Sequence, residues 1–274
     1  MPGDSSKTAG RMPFPESKRV VYRNNPLVEV ICQLRFPTIL QISATDPAGF
    51  QDRIRDGYPL YDRPQERQAF PKEIADILAH LPIPRSPEDI THKFLVDDSS
   101  RSISLTPEFL AIAENNYLRW ENFSREVMRA MEALEEEYHP AFYSRIGLRY
   151  VDVIDKVGLG LQNESWESLV NPAVVGILAE RDLCESVRDI QGRALIELGE
   201  DVVAGAFANL RYGLTKLDAG REAYRFDVDL FTTERSTEAD VARILDRFNQ
   251  LAGHLFRWAI TSKLEEALGP MEIV

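Results

Sequence analysis

The chain predicts an α+β fold in which two pseudo-repeats of strand, helix, three strands and helix form one antiparallel sheet with the long helices packed on one face. Three observations lead there. Asn24, Asn25 and Pro26 are followed, eight positions after the proline, by Leu34, Arg35 and Phe36; Tyr138, His139 and Pro140 are followed at the same spacing by Leu148, Arg149 and Tyr150, an offset of 114 residues. The apolar phase between these anchors also agrees, Val28, Val30, Cys32, Leu34 and Phe36 standing against Phe142, Ile146, Leu148 and Tyr150, with a break at Ser144. Each half then closes on an apolar stripe of helical period, Trp120, Phe123, Val127, Met131, Leu134 and Tyr138 in the first and Val241, Ile244, Phe248, Leu251, Leu255 and Trp258 in the second. Helix stripes and apolar strand faces must cover one another, which makes a single sheet with helices on one face the economical arrangement.

The elements follow in order. Residues 1–21 are rich in Gly, Ser, Pro and charge and read as a disordered tail, with order beginning near Tyr22. The first half-repeat then runs to residue 140 and the second from 141 to 274, together one globular body. Residues 27–36 alternate apolar and polar, the pattern of a strand with one covered face. Asp46 and Pro47 look like a helix start leading into Phe50 and Ile54. Six prolines between 57 and 87 leave room only for a short helix over 72–81. Short strands are expected at 92–96, 102–106 and 109–114, with the turn residues Asp97, Asp98, Ser99 and Ser100 between the first two.

In the second half a strand over 142–153 leads to a helical stretch holding Trp166, Leu169, Val174 and Ile177. Strands follow at 186–198, 203–214 and 223–232, the first two joined tightly at Gly199, Glu200 and Asp201. Ser236, Thr237 and Glu238 cap the last long helix. This element order is similar to that of the duplicated saddle of TATA-box-binding proteins.

Composition narrows the function classes. The 274 residues carry a formal charge of -12, and the basic tail leaves the body more acidic still, so tight nucleic-acid binding is not expected. No apolar run is long enough to span a membrane and the N-terminus lacks a secretory signal, which points to the cytoplasm. Cys32 and Cys184 lie in apolar, strand-like surroundings and read as buried reduced thiols.

The opening Tyr22, Arg23, Asn24, Asn25, Pro26, Leu27, Val28, Glu29, the central Arg145, Ile146, Gly147, Leu148, Arg149, Tyr150, Val151, and the close around Phe256 and Ile260 together resemble a sporadically distributed family of uncharacterised bacterial proteins of about this length. The resemblance spans residues 22–269, with Val151 and Asp152 standing where Ile and Asn would be expected. It implies a mobile accessory role of the phage-defence or toxin-antitoxin kind, and it transfers no catalytic residue.

Chemistry concentrates on the polar sheet face. Phasing the strands by their apolar positions puts Arg145 and Arg149 on one strand, Gln191, Arg193 and Glu197 on the next, Asn209 and Arg211 on the third, and Arg225, Asp227 and Asp229 on the fourth; Glu29, Gln33 and Arg35 join from the first half. Arginine suits planar carboxylate or phosphate, so Arg35, Arg145, Arg149, Arg193, Arg211 and Arg225 are the candidate residues for an anionic ligand or an acidic partner. The alternative is a solvated face laddered by ion pairs. Asp227 and Asp229 could instead serve a hard cation in a metal-dependent hydrolase or nucleotide-processing enzyme whose site, with Glu29, lies across the pseudo-two-fold. No metal-ligand spacing, phosphate loop, dinucleotide fingerprint or nucleophile elbow is found, so no cofactor is expected. The expected role is a binding or regulatory component, working with a protein partner or as a homodimer because an open sheet leaves its edges to be covered.

Overall fold

The computed structural model describes residues 14–62, 91–199, 202–217 and 220–272. Among these, strands β2 (Leu27–Arg35), β3 (Leu60–Asp62), β4 (His92–Leu95), β5 (Arg101–Leu105), β6 (Phe109–Glu114), β7 (Arg145–Ile154), β8 (Gln191–Glu197), β9 (Ala206–Lys216) and β10 (Glu222–Thr232) form one sheet. Its order is β3-β4-β5-β6-β2-β7-β10-β9-β8, every neighbouring pair antiparallel. A separate two-stranded ribbon pairs β1 (Val20–Tyr22) with β11 (Pro270–Glu272). Order thus starts earlier than Tyr22, since the Phe14 ring is buried and tilted against Trp258 at 5.6 Å. Residues 1–13 lie outside the described residues, as does the short helix expected at 72–81.

Period-2 alternation decides which face each strand covers. Val30, Cys32 and Leu34 of β2 and Ile146, Leu148 and Tyr150 of β7 are buried on the same side, joined there by Phe226, Val228 and Leu230 of β10. Onto that side pack α3 (Trp120–Tyr138) and α5 (Glu238–Ala259). Their expected stripes are largely the buried ones, Phe123, Val127 and Leu134 on α3 and Val241, Ile244, Phe248, Leu251 and Leu255 on α5, while Tyr138 and Trp258 are only partly buried. The entry to α5 is tied by the Asp240 carboxylate, which accepts from the Thr237 backbone N–H at 3.1 Å and its hydroxyl at 2.8 Å. Termination of α3 falls to His139, whose left-handed φ of 47° ends the helix before Pro140.

Several local expectations shift. A helix α1 (Leu40–Ala44) precedes α2 (Ala48–Ile54), and Pro47, one residue later than expected, occupies the cap. The stretch around Trp166 is not one helix: two 3-10 turns flank a four-residue helix α4 (Pro172–Val175), because Pro172 opens a new turn and Gly176 at φ 56° ends it. Residues 186–190 stay out of β8, and Cys184 sits in a 3-10 turn with partial exposure rather than buried in a strand. Cys32 is fully buried, and burial pushes its thiol up to about 12. The connection from β8 to β9 spans 198–205 and is longer than the tight hairpin expected; Glu200 and Asp201 lie outside the described residues. The acidic end of α3, unfavourable against a helix C-terminus, is answered by tertiary partners. Arg53 of α2 reaches Glu136 at 2.5 Å and Glu137 at 3.7 Å, and the Tyr143 hydroxyl donates to Glu135.

Candidate functional site

Odd-numbered positions of β2, β7, β9 and β10 point away from the helices, and the predicted arginines sit there. Because β7, β10 and β9 are consecutive in the sheet, Arg149, Asp227 and Arg211 come side by side through cross-strand pairs of Arg149 with Asp229 and Asp227 with Arg211. Asp227 is the hub. Its carboxylate accepts from Arg149 Nε at 2.7 Å and Nη2 at 2.8 Å, from Arg211 Nη2 at 3.1 Å and from Arg225 Nη2 at 2.7 Å. Burial pushes the Asp227 carboxyl up, but Arg149 and Arg211 outweigh it and hold it below the usual carboxylate range. Arg149 is correspondingly raised by its bond to Asp227.

A second pair lies one step along the strands. Arg145 Nη2 grips both Asp229 oxygens, at 2.8 and 2.9 Å, while its Nη1 donates to Gln33 Oε1 at 3.0 Å and its guanidinium lies 4.8 Å over the Phe231 ring. Gly147 makes room for this posture: a Cβ there would stand 2.1 Å from Arg145 Nη1. The run from Arg145 to Arg149 therefore reads as two arginines about a glycine over which the first one folds. Asp229→Ala is expected to cost about 1 kcal/mol less in a Gly147→Ala background than in the native protein, because the displaced Arg145 no longer depends on it. Thermal unfolding of the four proteins in that cycle measures the coupling.

Arg193 and Arg35 stand apart from the hub. Arg193 Nε donates to Asn209 Oδ1 at 2.9 Å, and Arg35 reaches Glu108 at 3.6 Å. Asp227 and Asp229, the residues considered for a hard cation, have their oxygens engaged by guanidiniums. Among the described residues no group of three or more His, Cys, Asp or Glu side chains is placed to hold a metal ion.

Sequence reasoning missed a second feature, on the helix face. A cavity of about 220 Å³ lies against β1, between the start of α3 and the second half of α5, with aromatic walls from Tyr22, Tyr117, Trp120, Tyr150 and Phe256. Asp152 of β7 lines it, only 8 % exposed and with no side-chain hydrogen bond to the described residues, and burial alone pushes its carboxyl up to about 7. The Tyr22 hydroxyl is also buried without a partner. The missed signal was in the register: Ile146, Leu148, Tyr150, Asp152 and Ile154 share the covered face, and a carboxyl in that apolar series requires an explanation. The chain matches no protein-family model and no curated protein.

Proposed function

We propose that the protein is a non-enzymatic binding or regulatory component of a bacterial accessory system, and that its arginine-lined sheet face receives an anionic group of a ligand or partner protein. The observation that carries this reading is the surplus at the hub, where three guanidiniums share the single Asp227 carboxylate. Arg211 and Arg225 remain 44 % and 43 % exposed, and each spends only its Nη2 on Asp227. Such donors are held in position by the hub yet retain capacity for a planar or tetrahedral anion. The accessory-system setting rests on the resemblance of the opening and central motifs alone.

The proposal extends to the origin of the fold, as two copies of one unit. In support, β6 and β10 flank β2 and β7, and β5-β4 and β9-β8 continue outward in the same sense. The 114-residue offset also superimposes Gln33 on its own cross-strand partner Gly147, as a two-fold between β2 and β7 requires. By that correspondence Arg35 is the counterpart of Arg149, but the carboxylate hub is built only in the second half.

Titration calorimetry with inorganic pyrophosphate as probe tests the anion site. Binding at low salt is expected to weaken about tenfold in Arg211→Ala, the weight of one charge-assisted hydrogen bond of roughly 1.5 kcal/mol. Duplex DNA at about 0.15 M salt should not bind with sub-micromolar affinity, because the acidic body repels a polyanion. Pyrophosphate binding that is absent, or indifferent to Arg211, contradicts the reading.

A further inference from the structure

The cavity on the helix face has no role in the sheet-face reading and contains the groups of a recognition site. At about 220 Å³ it far exceeds the roughly 15 Å³ that one water needs, and five aromatic side chains make its walls suited to a flat ring system. Most of its polar groups are spent within the fold, Asn25 on Tyr117 and Leu27 and His254 on Ser17, but not all. No described residue donates to the Asp152 side chain, and a largely desolvated carboxyl costs free energy unless a donor is supplied. Asn249 of α5 accepts from the Tyr150 hydroxyl at 2.9 Å through Oδ1, which leaves its amide nitrogen as a donor toward the cavity.

The mouth restricts the charge of the occupant. Lys18, Arg19 and Arg257 all line it, but each is already matched, with Glu272 at 2.9 Å, Glu121 at 2.5 Å and Glu265 at 2.7 Å. His254 accepts the Ser17 backbone N–H on Nδ1 at 3.0 Å, and burial lowers its basicity, so it stands neutral. A phosphate at the mouth would thus have to compete for matched cations, with Arg119 the exception. An uncharged ring system with adjacent N–H donors satisfies what the interior lacks: two donors for the carboxylate oxygens and one acceptor for the Asn249 amide.

We propose that this cavity binds a purine base or nucleoside through a guanine-type edge, two adjacent N–H groups on Asp152 and the neighbouring carbonyl on Asn249, with the ring stacked among Tyr22, Tyr117 and Phe256. Fluorescence of Trp120 in the cavity wall, supported by calorimetry, reads binding to the intact protein. Guanosine is expected to bind at least about tenfold more tightly than adenosine, since an unmatched buried polar group costs at least about 1.4 kcal/mol. Guanosine monophosphate is expected to gain little over guanosine; a gain of about a hundredfold would overturn the neutral-ligand claim.

Asp152→Asn turns one acceptor into a donor at constant size. It is expected to weaken guanosine about tenfold and to favour xanthosine, which presents one donor beside one acceptor. A merely structural Asp152 would not reverse a base preference. Equal guanosine affinity in the two proteins, or no binding of guanosine by the native protein up to about 1 mM, overturns the proposal. Circular dichroism confirms that the variant is folded, and Tyr22→Leu, which removes the stacking ring, serves as a second variant with a milder expected loss.

Discussion

Asp227→Ala is expected to lower stability by about 3 kcal/mol, the lower end of the range for breaking a buried ion pair. The Asp227 side chain is 4 % exposed, and its removal leaves the guanidiniums of Arg149, Arg211 and Arg225 facing one another across neighbouring strands. Arg211 and Arg225 can turn to water, which keeps the cost from being larger; Arg149, hydrogen-bonded through both Nε and Nη2, loses most. In a chain of this size the melting temperature should fall by about 6–12 °C. A second change, Arg211→Ala on the Asp227→Ala background, should recover part of the loss by removing one of the repelling charges. Loss below about 1 kcal/mol would mean that the hub is a solvated ladder with no structural weight.

The pH dependence of the same residue has a definite sign. The folded Asp227 value is depressed below the unfolded one, so its stabilisation is fully present above about pH 4 and is lost as the pH falls through the lower folded value. Acid unfolding of the native protein should therefore be steeper than that of Asp227→Asn.

Asp152→Asn should act in the opposite direction and stabilise the protein at alkaline pH. The folded carboxyl, raised to about 7, keeps its proton over a window in which the unfolded chain has released it. Native stability consequently falls as pH rises from about 4 to about 7 and is flat above, where a buried carboxylate stands without a donor. The amide removes that penalty. The gain is expected to be of the order of 4 kcal/mol above pH 8, by the free energy of a shift of this size, and to vanish below about pH 4. Melting temperatures of the two proteins at pH 4, 6 and 8.5 would test it, and curves that stay parallel would refute the assignment of the cost to Asp152. A loss of fold stability at neutral pH in the native protein and a gap for a hydrogen-bond donor are then two aspects of one buried carboxyl.

The regular elements were legible in the residue order. Helix α3 begins at Trp120 and ends at Tyr138 because a stripe of period 3.6 runs between Arg119 and the His139, Pro140 stop. Strand β6 occupies 109–114 as expected, and the alternation in β2, β7 and β10 correctly sends the arginines to one face and the apolar residues to the other. The stretch from Trp166 to Ala179 was misjudged for a related reason. Its apolar spacing suits a helix, but Pro172 and Gly176 break the backbone locally, and tertiary burial of Trp166, Val174 and Leu178 holds the fragments.

By itself the sequence determined the two long helices, the main strands of the sheet and the side on which their residues stand, because these follow from local period and from the turn chemistry of a few residues. The tertiary structure alone decided who meets whom. That Asp227 is shared by three arginines depends on β7, β10 and β9 lying side by side, where Arg211 comes from 16 positions away in the adjoining strand but Arg149 from 78. The cavity depends on still more distant segments, with β1, the start of α3, β7 and α5 each supplying one wall. Asp152 looks like an ordinary carboxylate along the chain, and its pKa is raised only because the segments packed around it strip most of its water while no described residue brings it a donor.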